Sequence, residues 1–242
     1  MSGDIVIGAG IAGLSAAVYL SAGGRRVELI EASQKPGGRA YSLTEKSTGT
    51  IIDNGQHIMM GCYYDTLKFF RMIGAYENLI IQEKLSVDFL LPQLQSVPLK
   101  AFSKIYPLNL SAGLLAYRAL SIKDRLLLLR FFLVLPLVSD NDLKRKTVYD
   151  WLVQENQNER IRKAFWEILV AGALNTSTYK ASAKIFKDIL VEIFLKGNKA
   201  ATIVIPKKGL TESYCDPAIN YIGSRGGIVT MGEQVNKLII ED

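Results

Sequence analysis

Residues 4–13, Asp-Ile-Val-Ile-Gly-Ala-Gly-Ile-Ala-Gly, constrain the fold more than any other stretch of the chain. A short apolar run leads straight into Gly8, Gly10 and Gly13 at the spacing G-x-G-x-x-G. Gly8 permits a tight turn, Gly10 lets backbone N–H groups approach a pyrophosphate, and Gly13 lets the next helix pack closely on the strand. The positive end of that helix then faces the diphosphate. A glycine pattern alone is weak evidence, so its context decides. Leu14–Leu20 is rich in Ala and Leu without Pro, and Ala22-Gly23-Gly24 stops it. Arg26–Glu31 then reads as a second strand that ends in an acid. Glu31 lies 18 residues after Gly13, where a carboxylate can accept hydrogen bonds from ribose hydroxyls and repels a 2′-phosphate. The expected unit is a βαβ dinucleotide site in which Gly8, Gly10, Ala12, Gly13, Glu31 and Ala32 contact the cofactor.

The rest of the composition suits a folded enzyme. In 242 residues, 49% of them hydrophobic, there is room for one large domain or two small ones around a substantial core. The formal charge of +6 fits an anionic ligand or an anionic membrane surface, and equally an ordinary basic protein. Cys62 and Cys215 are far apart and outside any metal-ligand spacing, so two buried reduced thiols are expected and no metal site. The first strand begins at residue 4, which leaves no room for a secretory leader and predicts a cytoplasmic protein. Leu126–Val138, the longest apolar run, is interrupted by Arg130 and Pro136 and is too short to span a bilayer.

Beyond Glu31 the sequence becomes more specific. Gly37-Gly38-Arg39 after the strand-closing acid resembles the flavoprotein family of amine oxidases, phytoene desaturases and related isoprenoid oxidoreductases. That resemblance implies FAD, with Gly38 allowing close backbone approach and Arg39 neutralising phosphate charge. The run Asp53-Asn54-Gly55-Gln56-His57 is similar to the hydroxysqualene dehydroxylases, the squalene-forming branch of the family. So are Thr147–Leu152, Phe165-Trp166, Ala171–Thr176, Lys208-Gly209-Leu210 and Asp216-Pro217-Ala218. The resemblance implies that Gly55 and Gln56 lie near the flavin and makes His57, the single histidine, the candidate catalytic residue. A structural hydrogen-bonding role for His57 is equally open. By the same resemblance Val235, opening a strand over Val235–Ile240, offers its backbone to adenine.

The fold class that follows is α/β: a Rossmann-like FAD-binding domain, discontinuous and incomplete, with an inserted α+β, largely helical substrate domain. The expected parts are 1–80 and 207–242 for the cofactor domain and 81–206 for the substrate domain. Within the latter, Ser86–Leu91 and Gln95–Leu99 read as a hairpin, and Leu110–Val138 as helices broken at Ser121–Asp124. A helix from Thr147, one around Ile161–Ala173 and one over Ala181–Leu195 follow. Basic residues flank Leu126–Val138, so this segment suits either a membrane interface or the buried helix of a hydrocarbon-binding domain. The family's C-terminal half carries further strands and a second glycine-rich segment that packs on the flavin. This chain therefore matches the N-terminal part, and a missing C-terminal half is an expected partner. Three functions stay open: reductive dehydroxylation of hydroxysqualene to squalene in squalene and hopanoid biosynthesis, carotenoid desaturation, and an inactive fragment or half of a split flavoenzyme. A hydrophobic isoprenoid is the expected substrate, and no nucleic-acid partner is expected.

Overall fold

The computed structural model describes residues 3–55, 57–91, 95–102 and 105–239. The chain divides into two compact units. One comprises residues 1–59, 63–81 and 204–242, the other 60–62 and 82–203.

In chain order the first unit begins with β1 (Asp4–Ile7), α1 (Ile11–Ala22), β2 (Val27–Glu31), β3 (Ser42–Thr44), β4 (Ile51–Asp53) and β5 (Met59–Met60). After α2 (Tyr64–Met72) and β6 (Leu79–Ile81) the chain leaves this unit. The central sheet has the order β1-β2-β10, all parallel, where β10 is Ile228–Met231. Period-two alternation in these strands sends Val27 and Leu29 to one face, where they join Leu14, Ala17 and Val18 of α1 and Ala218 and Ile222 of the late helix described below. Ile5, Ile7 and Ile228 point the other way and are exposed. α2 follows its apolar spacing, burying Leu67 and Phe70, and ends at Gly74 with φ +69°, a backbone state that suits glycine.

The second unit opens with the antiparallel hairpin of β7 (Ser86–Leu91) and β8 (Gln95–Lys100), in register from Ser86↔Lys100 to Leu91↔Gln95. Helices α3 (Leu108–Ala116), α4 (Ile122–Val134), α5 (Asp140–Leu143), α6 (Val148–Gln154), α7 (Glu159–Ile161), α8 (Glu167–Leu174) and α9 (Ala183–Phe194) follow. A π-helical turn, Arg162–Trp166, joins α7 to α8. Their core is aromatic. Phe131 lies with its ring centroid 4.8 Å from that of Trp151 and 4.6 Å from that of Trp166. The Trp166 indole N–H donates to buried Gln157 Oε1 at 2.9 Å. Tyr117 donates to the Ala164 carbonyl at 2.8 Å, and burial pushes its phenol up to about 12.

Helix starts follow side-chain capping. Ser121 caps α4, and Thr147 caps α6 in a reciprocal box with Asp150. The Thr147 hydrogen bonds hold the Asp150 carboxyl below its usual range. Thr147→Ala should lower stability by about 1 kcal/mol in denaturant unfolding at neutral pH. Because the Asp150 pKa is depressed on folding, its share of the cap is present above the ordinary carboxylate range and is lost as pH falls through the folded value. The wild-type advantage should therefore narrow below about pH 4.

The chain re-enters the first unit through β9 (Ile203–Pro206), which pairs antiparallel with β6 from Leu79↔Pro206 to Ile81↔Val204. A π-helical turn, Thr211–Cys215, then runs into α10 (Asp216–Ser224). Two sequence expectations change here. Residues 233–239 form no regular element, so the strand expected from Val235 is absent among the described residues. Gly232, at φ +76°, turns the chain off the end of β10, and among the described residues no backbone ladder partner lies alongside 235–239. The second change concerns the thiols: Cys215 is buried but Cys62 only half-buried, both unpaired.

Candidate dinucleotide site

The turn between β1 and α1 has the geometry that its glycines allow. Gly8 sits at φ +96°, and its N–H donates to the Ile30 carbonyl at 2.7 Å, joining the turn to β2. A Cβ at Gly13 would stand 1.8 Å from the Gly8 carbonyl oxygen, so only glycine permits this approach of helix to turn. Gly10 caps α1 in an extended conformation. The first-turn N–H groups that follow it, Ala12 among them, have no intrahelical acceptor and point out of the helix N-terminus.

A second glycine pair closes over the first. The Gly37 N–H donates to the Ala9 carbonyl at 2.7 Å, and Gly10 and Gly37 form a parallel bridge. A Cβ at Gly38 would come within 3.2 Å of Gly10 Cα. Gly37 and Gly38 both have positive φ, +106° and +60°. Tyr214 supports the loop from below, donating to the Ala40 carbonyl at 2.5 Å. Burial pushes the Tyr214 phenol upward, so it stays a donor at physiological pH. Sequence reasoning missed Tyr214, which stands among Thr211, Glu212, Ser213 and Asp216 and so gives no sign in the sequence of the burial that brings it to this loop.

Glu31 is held at the mouth of the turn. One carboxylate oxygen accepts the Ala9 N–H at 2.5 Å and the other the Ser33 N–H at 2.8 Å. Each oxygen keeps a further lone pair for a ligand hydroxyl. A cavity of about 320 Å³ lies beside Gly38 and is lined by Ser33, Lys35, Tyr41 and Leu43. Lys35 adds a cation that the sequence reading did not single out.

The structure brings Gly8, Gly10, Gly13, Glu31 and Gly38 together, with Ala12 and Ala32 exposed at the rim. The Arg39 side chain is exposed, while its carbonyl accepts the Asn54 side-chain amide at 3.4 Å. That contact and the bond from Asn54 N–H to the Tyr41 carbonyl tie the 53–55 turn to the Gly38 loop. Gly55 occupies φ +127°, His57 is exposed, and Gln56 lies outside the described residues. Val235 is half-buried, and just before it Gly232 and Glu233 donate to the Ser33 and Glu31 carbonyls. Gly209 has a packing role: a Cβ there would meet Ser42 Oγ at 2.5 Å and Ile51 Cγ2 at 2.7 Å.

The model of the flavin-containing amine oxidoreductases matches residues 11–238. The chain belongs to that family. The hydroxysqualene dehydroxylase of Rhodopseudomonas palustris is 31% identical over 236 residues, 96% of this chain and 53% of that protein. The zeta-carotene desaturase of a Synechocystis strain is 26% identical over 91% of this chain and 47% of its own length. Among solved structures, an oxidoreductase from Methanosarcina mazei superposes with a TM-score of 0.73 at 22% identity, covering all of this chain and 54% of its own. The chain thus spans about half the length of the relatives it matches. The family is flavin-containing, and the cofactor is FAD. The cradle fits it: Gly13, Gly37 and Gly38 leave no room for side chains, helix N–H groups face outward, and a fixed carboxylate borders the turn.

Proposed function

We propose that this family member is the turn-bearing part of an FAD-dependent oxidoreductase that reductively removes the hydroxyl of hydroxysqualene to give squalene. The observation that carries this reading is the similarity to hydroxysqualene dehydroxylases along almost the whole chain. Replacing a hydroxyl by hydrogen takes up two electrons and two protons and releases water, and reduced FAD supplies the electron pair as hydride. In this reading the residues of the chain bind and orient. Gly8, Gly10, Ala12, Gly13 and Gly38 admit the diphosphate, Glu31 and Ala32 border the adenosine ribose, Arg39 and Lys35 offset phosphate charge, and Val235 borders adenine. Gly55, Gln56 and His57 belong to the flavin side, with His57 the candidate for proton transfer.

The segment that encloses the flavin comes from the half of the relatives that this chain does not span. A cytoplasmic protein in peripheral contact with the inner face of the membrane suits so insoluble a substrate. Zeta-carotene desaturase similarity supports a second reading, an oxidative desaturase of a carotenoid. Product analysis separates the two. Incubated with hydroxysqualene, FAD and a reductant, the protein together with its C-terminal complement should form squalene; a new conjugated chromophore from zeta-carotene would favour the second.

Glu31→Gln should weaken FAD binding about tenfold, the difference between a charged and a neutral acceptor. Whichever way the amide turns, its NH2 faces the Ala9 or Ser33 N–H, so the turn loosens as well. An FAD titration followed by flavin fluorescence checks this. Unchanged affinity would take Glu31 out of the site.

A further inference from the structure

The apolar run of α4 splits by face. Leu128 and Phe131, and Leu135 of the turn that follows, are buried. Buried Asp124 anchors the same side, accepting from Ser121 Oγ at 2.7 Å and Asn158 Nδ2 at 2.6 Å. On the opposite side Ile122, Leu126, Leu133 and Leu137 are 74%, 55%, 66% and 82% exposed. At about 100° per residue Ile122, Leu126 and Leu133 of α4 fall within roughly 40° of one another and form a single stripe about 16 Å long, with Leu137 exposed on the turn just beyond it. Three large aliphatic side chains in line, with a fourth beside them, are more than the scattered exposed hydrophobics of an ordinary surface.

Two further observations say what covers the stripe. Lys123 and Arg130 are exposed along one border and pair with no carboxylate among the described residues, and the only acid in α4, Asp124, is buried on the far side. Residues 82–203 hold 18 Lys and Arg against 11 Asp and Glu, a net +7, while the rest of the chain holds 11 against 12, a net −1. The positive charge of the whole protein therefore resides in the unit that bears the stripe. Along the other border Leu129, Phe132, Leu133 and Pro136 line an apolar cavity of about 210 Å³, whose far wall includes Leu110 and Leu114 of α3. Leu108, at the start of α3, is also exposed.

We infer that the outer face of α4 docks on an anionic phospholipid bilayer, lying in its surface with the adjoining cavity opened to the hydrocarbon layer. An apolar stripe bordered by unpaired cations is the pattern of interfacial binding, where buried apolar area and attraction to anionic lipid add. No helix among the described residues is long and apolar enough to cross a membrane, so α4 lies in the surface rather than through it. The inference rests on the proposed function only for what enters the cavity, a bilayer-dissolved hydrocarbon; docking itself needs no substrate.

Flotation through a density gradient tests it, because aggregates sink and only vesicle-bound protein rises. The chain should float with vesicles of phosphatidylglycerol and phosphatidylcholine without any isoprenoid present. Leu126→Ser/Leu133→Ser/Leu137→Ser should lower partitioning at least ~100-fold while keeping the wild-type far-UV circular dichroism, since all three side chains are exposed. Lys123→Gln/Arg130→Gln should lower it about 30-fold on anionic vesicles and leave the weak binding to pure phosphatidylcholine unchanged. Wild-type protein that stays at the bottom, or a triple variant that floats equally well, would overturn the inference. So would a vesicle-free dimer abolished by the triple variant, which would give the stripe to a second copy of the chain. Failure to convert hydroxysqualene would leave flotation unaffected, so the two readings fail separately.

Discussion

Gly13→Ala is expected to abolish measurable FAD binding, a loss of more than about 100-fold, and to lower the melting temperature of the chain. The new methyl would stand 1.8 Å from the Gly8 carbonyl oxygen and 3.0 Å from its carbon, both backbone atoms of the turn itself. No rotamer relieves a Cβ clash. The N-terminus of α1 must move away from β1, which displaces the outward-facing N–H groups from the diphosphate and disturbs packing around Leu14. Overpacking of this kind costs about 1–3 kcal/mol or more. Gly172→Ala is the control. It lies inside α8 with nothing within 4 Å of the added Cβ, so it should leave FAD affinity unchanged and stabilise by about 0.5–1 kcal/mol. Flavin fluorescence and thermal melts on both variants decide the matter. Equal affinity for Gly13→Ala and wild type would mean that the helix terminus does not face the cofactor.

The second large effect belongs to the other unit. Trp166 is fully buried with Phe131, Phe132 and Phe165 around its ring and Gln157 on its indole N–H. Truncation to alanine should cost about 3–5 kcal/mol through lost burial and the cavity left behind. It also leaves the buried Gln157 carbonyl oxygen without its donor, a further loss of about 1–3 kcal/mol. Against a typical total of about 5–15 kcal/mol, such a loss leaves residues 82–203 close to unfolded. Trp166→Phe separates the two contributions, since it retains most of the ring and removes only the N–H. Urea unfolding should rank wild type above Trp166→Phe and both well above Trp166→Ala. A Phe variant as stable as wild type would remove the hydrogen bond from the account.

The parts of this fold that were legible in the sequence are those set by local chemistry. The strand–turn–helix at Asp4–Ala22 follows from glycine spacing, the start of α6 from the Thr147 cap, and the β7–β8 pairing from two strand-like runs around a proline-containing turn. Features decided by neighbours distant in sequence were not legible. Leu126–Val138 is so uniformly apolar that its period cannot say which side faces the core. Only packing shows that Leu128 is buried while Leu126 and Leu133 are exposed. Substitution of Leu128 would thus probe stability rather than a surface. The residues from Val235 have strand-like composition, but a strand also needs a neighbour, and none lies beside them among the described residues. Strand β9 escaped notice because Ile203–Pro206 is short and ends in proline. At the site, the glycines and Glu31 announce themselves through spacing, whereas Tyr214 reaches the Gly37–Ala40 loop across 174 residues of chain.

In the proposed site the Gly8–Gly13 turn, the Gly37–Gly38 loop and Glu31 would hold the adenosine diphosphate half of FAD. Competition binding addresses that assignment without depending on whatever encloses the flavin ring. With FAD followed by fluorescence anisotropy, ADP should displace it from the wild-type chain, ADP should fail to bind the Gly13→Ala variant, and FMN, which lacks the adenosine half, should bind far more weakly than FAD. If FMN bound as tightly as FAD and ADP did not compete, the glycine turn would not be the cofactor site.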